Sequence, residues 1–455
     1  MGGENVLWRR ADLMVYEYDA SLDRGLPDAV VFPQSTDHVS GVVRACVEHR
    51  MPFIARGSGT NLSGCSIAPE GGVIIETSRM NRILAVNPLD EIAAVQPGVF
   101  NLDLQQELAR HGYWFAPDPA SQKVSTLGGN IAENSGGPHG VKYGVTTNHV
   151  LGLRVVMPDG EVVDVGGAAE NTPGYDLRGL LIGSEGTLGI VTEILVRIRR
   201  LPERVKTLLA VYDSIEESVE SVSAIVANGI VPATLEMMDQ PILKAVEDSY
   251  HCGYPVDAAA VLIIELDGLC DDLDEQARVV EKLCRAEGAR DVRVAADAAE
   301  RERLWAGRRG AFGAVARICR NYLVMDGTVP RTKLPKVLQR AVHAAHSRGL
   351  KCGNVFHAGD GNLHPLIFIL EGSEEELRRV REAGAEIIRI CLEAEGTISG
   401  EHGIGVEKLD AMRAQFSEVE LATMWRINKT FDPLNLCNPG KLLPPLKAEL
   451  EPPSR

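Results

Sequence analysis

Two stretches towards the C-terminal end gather side chains able to hold a cation or move a proton. His357-Ala358-Gly359-Asp360-Gly361-Asn362-Leu363-His364 sets two imidazoles seven residues apart across an Asp-Gly-Asn turn, from which they can face one another on adjoining segments. Ser399-Gly400-Glu401-His402-Gly403-Ile404-Gly405 then places a carboxylate and an imidazole side by side in a glycine-rich loop. Two histidines and one glutamate with an open fourth position suit a catalytic divalent cation. A histidine pair alone is more often structural, and spacing alone leaves both readings open.

A second group of segments is built for phosphate. Arg56-Gly57-Ser58-Gly59-Thr60-Asn61-Leu62-Ser63-Gly64 follows a strand-like run and offers a row of backbone N–H groups among small side chains, as a pyrophosphate needs. The nicotinamide-dinucleotide fingerprint fails here, because Leu62 stands at the third glycine position and no amphipathic helix follows. An ordinary Rossmann site is therefore excluded, and the plain alternative for this segment alone is a flexible surface loop.

The elements that must position these residues alternate along the chain. A helix is expected over 36–50, strands over 53–55, 73–76 and 92–95, and a helix over 102–111. Strands over 153–157 and 161–165 meet in a hairpin at Pro158-Asp159-Gly160, and another strand spans 189–198. Beyond Leu201-Pro202-Glu203-Arg204 the units lengthen: strands at 206–211, 258–266, 292–294, 322–325, 352–356 and 365–370, with helices at 215–228, 272–287, 297–319, 333–347 and 373–394. This suits a second domain with a sheet backed by helices. Only 1–3 and 442–455 look loose. At 455 residues the chain exceeds what one core supports, so two or three domains are expected.

Composition removes several classes. A net charge of −16 disfavours nucleic acid, whose binding needs clustered Lys and Arg. No run approaches the length of a membrane helix, and no secretory signal is visible, so a cytoplasmic address is expected, with attachment to the inner membrane only through a partner. Nine scattered cysteines without a Cys-x-x-Cys pair argue against disulfides, zinc knuckles and iron–sulfur clusters.

Four further segments join residues 56–64 in order: Pro117-Asp118-Pro119-Ala120-Ser121, Thr126-Leu127-Gly128-Gly129-Asn130-Ile131-Ala132-Glu133-Asn134-Ser135-Gly136-Gly137, Lys142-Tyr143-Gly144-Val145-Thr146 and Gly183-Ser184-Glu185-Gly186-Thr187-Leu188-Gly189-Ile190-Val191-Thr192. Together they resemble the FAD-binding domain of the vanillyl-alcohol oxidase and p-cresol methylhydroxylase (PCMH) type. Trp305-Ala306-Gly307-Arg308, Met325-Asp326-Gly327-Thr328-Val329-Pro330, the two histidine loops and Asn438-Pro439-Gly440-Lys441 extend the resemblance, over about 30–443, to glycolate oxidase FAD subunits and D-lactate and D-2-hydroxyacid dehydrogenases.

The resemblance implies an α+β fold: a two-subdomain PCMH-type FAD-binding domain over 26–204, an α/β cap domain over 205–400, and a C-terminal helical segment over 401–445 that returns to the flavin. It implies FAD contacts from Arg56, Gly57, Ser58, Gly59, Thr60, Asn61 and Gly64 at the pyrophosphate. Pro117, Asp118, Ser121, Thr126, Gly128, Gly129, Asn130, Asn134, Gly137, Tyr143, Gly144, Glu185, Gly186 and Ile190 would surround flavin and adenine, with Asn438 and Lys441 near the flavin. Because the loop tip reads Gly64-Cys65-Ser66, without a histidine, dissociable FAD is expected. His357, His364 and Glu401 would ligate a divalent metal (zinc, manganese or iron), His402 would be the base, and Arg308 would clamp the substrate carboxylate, with Arg309 as fallback. A solvated helix face is the other reading of Arg308.

The implied reaction is oxidation of a small 2-hydroxy acid, glycolate or D-lactate, to the 2-oxo acid. Electrons would pass to an acceptor protein or an iron–sulfur subunit. Relatives acting on 2-hydroxyglutarate carry a lysine where Val324 stands, so a monocarboxylate is expected. The alternatives are a D-2-hydroxyglutarate dehydrogenase-like enzyme and a non-catalytic FAD subunit of an oxidase complex.

Overall fold

The computed structural model describes residues 2–169 and 173–446, and the chain divides into two compact units. Of the described residues, the first unit gathers those up to Gly136, those of Gly144–Leu201 and those from Glu401 on; the second comprises Gly137–Tyr143 and Pro202–Gly400.

The first unit holds two sheets. In the smaller, strands run in the order Val6–Leu7, Ala29–Val31, Val73–Glu76, Phe53–Arg56, parallel except for the first pair. Helix Thr36–Glu48 starts where Ser35 accepts a hydrogen bond from the His38 amide, and it buries Val39, Val43 and Cys46 in the core beside this sheet. The larger sheet is antiparallel: Ile83–Asn87, Ile92–Val95, Ile190–Arg197, Val150–Val156, Val162–Gly166. Ile190–Arg197 alternates buried and half-buried residues, as a strand with one covered face should. The hairpin turns at Gly160, whose φ of +85° is available to glycine at little cost.

The N-terminal residues, expected to lie outside the domain, supply the edge strand Val6–Leu7. The returning chain also joins this unit. Phe53 donates its amide to the Leu436 carbonyl at 2.8 Å, and Asn438 donates to the Phe53 carbonyl at 2.8 Å, extending the smaller sheet past Phe53–Arg56. Of the tail expected to be loose, Leu443 is buried and residues 447–455 lie outside the described residues.

The second unit is a sheet ordered Asp291–Val294, Arg204–Tyr212, Ala260–Gly268, Thr234–Asp239, Cys352–His357, Asn362–Leu363, Gly327–Thr328, with Pro365–Ile369 joining Cys352–His357 to Asn321–Val324. The helices Ile215–Ala227, Cys270–Ala286, Ala298–Val315, Leu334–His346 and Glu374–Glu393 answer those expected. Strand Thr234–Asp239 and helix Gln240–Tyr250 were not expected from the sequence. The strand is buried along its whole length, and Glu236 and Asp239 interrupt the apolar run by which a strand covered on both faces is otherwise read. The signal that marks the helix is Asp239, which accepts from the Ile242 amide at 3.4 Å, followed by Pro241 in the first turn.

Candidate active site

In the first unit the loop after Phe53–Arg56 is shaped around its backbone. The amides of Ser58, Gly59, Thr60 and Leu62 donate to no acceptor among the described residues. Asn61 folds its own side chain back, Oδ1 accepting from Ser63 and Cys65 amides at 2.9 and 2.8 Å. Gly59 has φ +66°, and a side chain there would strike the Arg56 guanidinium. Gly57 is equally constrained, because a Cβ would collide with the Thr126 hydroxyl.

The facing segment is similar. Thr126 caps helix Leu127–Glu133, accepting from the Gly129 amide, and a Cβ on Gly128 would meet Pro97 at 2.7 Å. Ser125 Oγ and Asn130 Nδ2 are buried with no partner among the described residues. Buried donors left without acceptors are costly unless a bound group takes them. Bare amides, orphan donors and glycines that permit close approach together fit a dinucleotide's phosphates and ring carbonyls.

Other expected FAD residues are engaged with the protein. Arg56 is buried and donates to the Ser66 and Tyr18 carbonyls at 3.1 and 2.7 Å, so it braces the loop. Pro117 accepts from Asn101 Nδ2, and Asn134, at φ +53°, accepts from the Thr147 amide. Ile190 packs into the core. Gly137 and Tyr143 belong to the second unit, where the Tyr143 hydroxyl donates to Asp267 at 2.6 Å. Asn438 Nδ2 donates to the Cys65 and Glu185 carbonyls, and Lys441 to Ile67 and Asn438.

Glu185 has a task that its sequence context did not foretell. Its carboxylate accepts from the Ile404 and Gly405 amides at 2.6 and 2.9 Å, fixing the loop that carries Glu401 and His402. The same loop is held through the His402 carbonyl, which accepts from Asn61 Nδ2 at 3.3 Å and Ser63 Oγ at 3.0 Å. His402 Nε2 lies 3.9 Å from Glu401 Oε1. The phosphate-type loop therefore also holds the backbone of one candidate catalytic residue, His402.

Cys65 donates its thiol to Glu185 at 3.0 Å. Burial first, and then the carboxylates of Glu133 and Glu185, push this thiol well above its ordinary pKa. The thiolate needed for nucleophilic attachment is thus disfavoured.

In the second unit the chemistry converges on Glu236. Register pairs it across the sheet with His357, so both side chains leave the same face. Glu236 Oε1 accepts from His357 Nδ1 at 2.7 Å, and Oε2 accepts from Arg308 Nε at 2.7 Å, with Nη2 of the same guanidinium 2.6 Å away in an ion pair. Burial opposes the charge of Glu236, but Arg308 and His357 outweigh it and hold its carboxyl below the ordinary range.

Arg308 is 2% exposed, which overturns the solvated-face reading. Helix Ala298–Val315 turns polar groups inward: Arg301 and Trp305 bind Glu265 at 2.8 and 2.7 Å, and Arg308 follows one turn on with Glu236. Arg309 instead pairs with Glu302 on the outer face, which removes it as a fallback clamp.

His364 lies beside His357, ring centroids 5.2 Å apart at 82°, with its Nε2 3.5 Å from Asp326 Oδ1. Asp326 also accepts from Ser399 Oγ and the Gly400 amide at 2.6 and 3.1 Å. Asn362, the register partner of His357, keeps a buried Oδ1 with no hydrogen-bond donor among the described residues. Buried imidazoles, a carboxylate and an orphan carbonyl oxygen are a donor set that fits a divalent cation. Sequence reasoning assigned no role to Glu236, Asp326 or Asn362, although the last two stood inside quoted motifs.

A cradle for a dinucleotide on one unit, and buried imidazoles with a carboxylate-matching guanidinium on the other, define a flavin-dependent oxidoreductase. The chain belongs to the FAD-linked oxidases: residues 201–442 match the C-terminal domain of FAD linked oxidases, and residues 27–166 match an FAD binding domain. It is 45% identical over 445 residues to glycolate oxidase subunit GlcD of Escherichia coli (strain K12), covering 98% of this chain and 89% of that one. To GlcD of Bacillus subtilis (strain 168) it is 41% identical, with 97% and 94% covered. To the mitochondrial D-lactate dehydrogenase [cytochrome] of Arabidopsis thaliana it is 32% identical, with 92% and 74% covered. Among solved structures, p-cresol methylhydroxylase superposes with a TM-score of 0.81 at 19% identity over 98% of this chain and 95% of that one, which establishes the PCMH-type fold.

Proposed function

We propose that this chain oxidises a small 2-hydroxy acid, glycolate or D-lactate, to the 2-oxo acid and passes the electrons to a partner protein. The observation that carries the reading is Arg308, buried yet using only Nε and Nη2 on Glu236, so that part of its five-donor fork remains for a carboxylate. That geometry fits a bidentate clamp, which orients the hydroxyl-bearing carbon. When bound, FAD supplies hydride acceptance at N5, and a divalent cation on His357, His364 and Glu401 supplies polarisation of the hydroxyl. His402 accepts the hydroxyl proton, a role that suits an imidazole near neutral pH.

Val324 supports a monocarboxylate substrate. It is buried beside Trp305, Val355 and Leu366, so no cation stands at that position for a second carboxylate. No helix among the described residues is long and apolar enough to cross a membrane, in keeping with a cytoplasmic protein that docks on its acceptor. The nine cysteines are free and scattered, which leaves any electron relay to a partner. A dye-linked turnover screen of glycolate, D- and L-lactate, 2-hydroxybutyrate and 2-hydroxyglutarate tests the reading. Turnover confined to short monocarboxylates is expected; preference for 2-hydroxyglutarate would reject the substrate class.

A further inference from the structure

We propose that Glu236 is a positioning residue that sets the tautomer of His357 and the plane of Arg308 with a single carboxylate. The inference rests on the reading of His357 as a metal ligand and deepens it. Glu236 has no exposed side-chain surface, and its two oxygens are divided: Oε1 takes His357 Nδ1 at 2.7 Å, while Oε2 takes the Arg308 Nε hydrogen bond at 2.7 Å and lies 2.6 Å from Nη2.

The consequence for His357 is chemical. A carboxylate is an acceptor only, so Nδ1 must carry the proton and Nε2 must present its lone pair. A carboxylate behind a histidine in this way raises ligand basicity and fixes ring orientation, and its loss typically costs about 10–100-fold in metal affinity. The consequence for Arg308 is geometric. The Nε hydrogen bond, with Nη2 beside the same oxygen, holds the Nε–Nη2 edge of the guanidinium against Glu236 and leaves the Nη1 donors directed away from it. Pairing of Glu236 with His357 in register across two central strands makes this arrangement a property of the sheet.

The test uses the full-length flavoprotein, stripped with a chelator and titrated with zinc against a chromophoric competitor. In Glu236→Gln the amide is oriented by Arg308, whose donors require Oε1, so Nε2 faces His357 and donates to Nδ1. The imidazole then carries its proton on Nε2. Zinc affinity should fall by about 10–100-fold. Glu236→Asp keeps an acceptor-only group and should recover the larger part, which a merely space-filling role would not produce. Flavin absorbance and the melting temperature report whether either variant folds, and Glu236→Asp keeps the test decisive if Glu236→Gln does not. His364→Ala separates the ligand reading from the positioning role. Wild-type protein that takes up no zinc, or His364→Ala that takes up as much as wild type, defeats the ligand reading. Zinc loss in His364→Ala with wild-type affinity in folded Glu236→Gln defeats the positioning role alone.

Discussion

Removing Arg308 should produce two separable losses, because its guanidinium faces a protein carboxylate and, in the proposed reaction, a substrate carboxylate. In Arg308→Ala the buried Glu236 keeps only His357 as partner, and breaking one side of a buried pair of this kind costs about 3–5 kcal/mol. The second unit should therefore melt at a clearly lower temperature. The substrate loses a charge-assisted bidentate contact worth about 1.5–3 kcal/mol, so half-saturation should rise by roughly 10–150-fold. Arg308→Lys retains a cation for Glu236 and should restore most of the stability. Its ammonium lacks the planar fork, so most of the binding loss should persist. The assay pairs thermal unfolding with anaerobic stopped-flow reduction of the flavin across a substrate series. Unchanged half-saturation in a folded Arg308→Ala would refute the clamp, and unchanged melting would refute the importance of the Glu236 pair.

Acid precipitation should release the flavin into the supernatant, since the Cys65 thiol is held protonated by burial and by its carboxylate neighbours; colour retained in the pellet would show a covalent bond. Chelation should abolish turnover and spare the flavin spectrum, and His364→Ala should bind little metal; full activity after chelation would exclude a catalytic cation. Burial pushes the Asp239 carboxyl up to about 6 against the donated hydrogen bond of Asn354. Folding therefore favours its protonated form, and this contribution is present below about pH 4 and lost as pH rises through 6. Asp239→Asn keeps a capping oxygen and, with Asn354 turned to offer its unpartnered Oδ1 to the new amide, should gain stability relative to wild type as pH rises through that window, on the order of 2–3 kcal/mol. Parallel melting-temperature profiles for the two proteins between pH 4 and 7 would contradict this.

What the sequence disclosed follows from what each signal physically is. Gly57, Gly59 and Gly128 were legible because a side chain at each would collide with a neighbour, a constraint that only glycine satisfies. Ile190–Arg197 showed itself through one-sided burial, and the fully buried Val73–Glu76 through its short apolar run. Thr234–Asp239 did neither, because it is covered on both faces and two buried carboxylates, Glu236 and Asp239, break its apolar run. With that strand unseen, Glu236 could not be connected to His357, and Arg308 could not be told from an exposed arginine. Helix Ala298–Val315 hid its inner face for the same reason: Arg301, Trp305 and Arg308 face buried carboxylates, so its polar residues do not mark its outside. Glu185 was legible as part of a glycine-rich motif, but its bonds to Ile404 and Gly405 join residues too far apart in sequence for any local pattern to reveal.

Hydride transfer from a hydroxy-bearing carbon to the flavin is the central step of the proposed reaction, and it can be observed without any assumption about the electron acceptor. Oxidised flavoprotein is mixed anaerobically with glycolate or D-lactate, and flavin absorbance is followed in wild type and in His402→Asn. Rapid bleaching is expected in wild type, and bleaching slowed by about 10²–10⁴-fold in the variant with little change in half-saturation. Flavin that stays oxidised with every short 2-hydroxy acid, in protein that holds its flavin and its metal, would contradict the proposed oxidation.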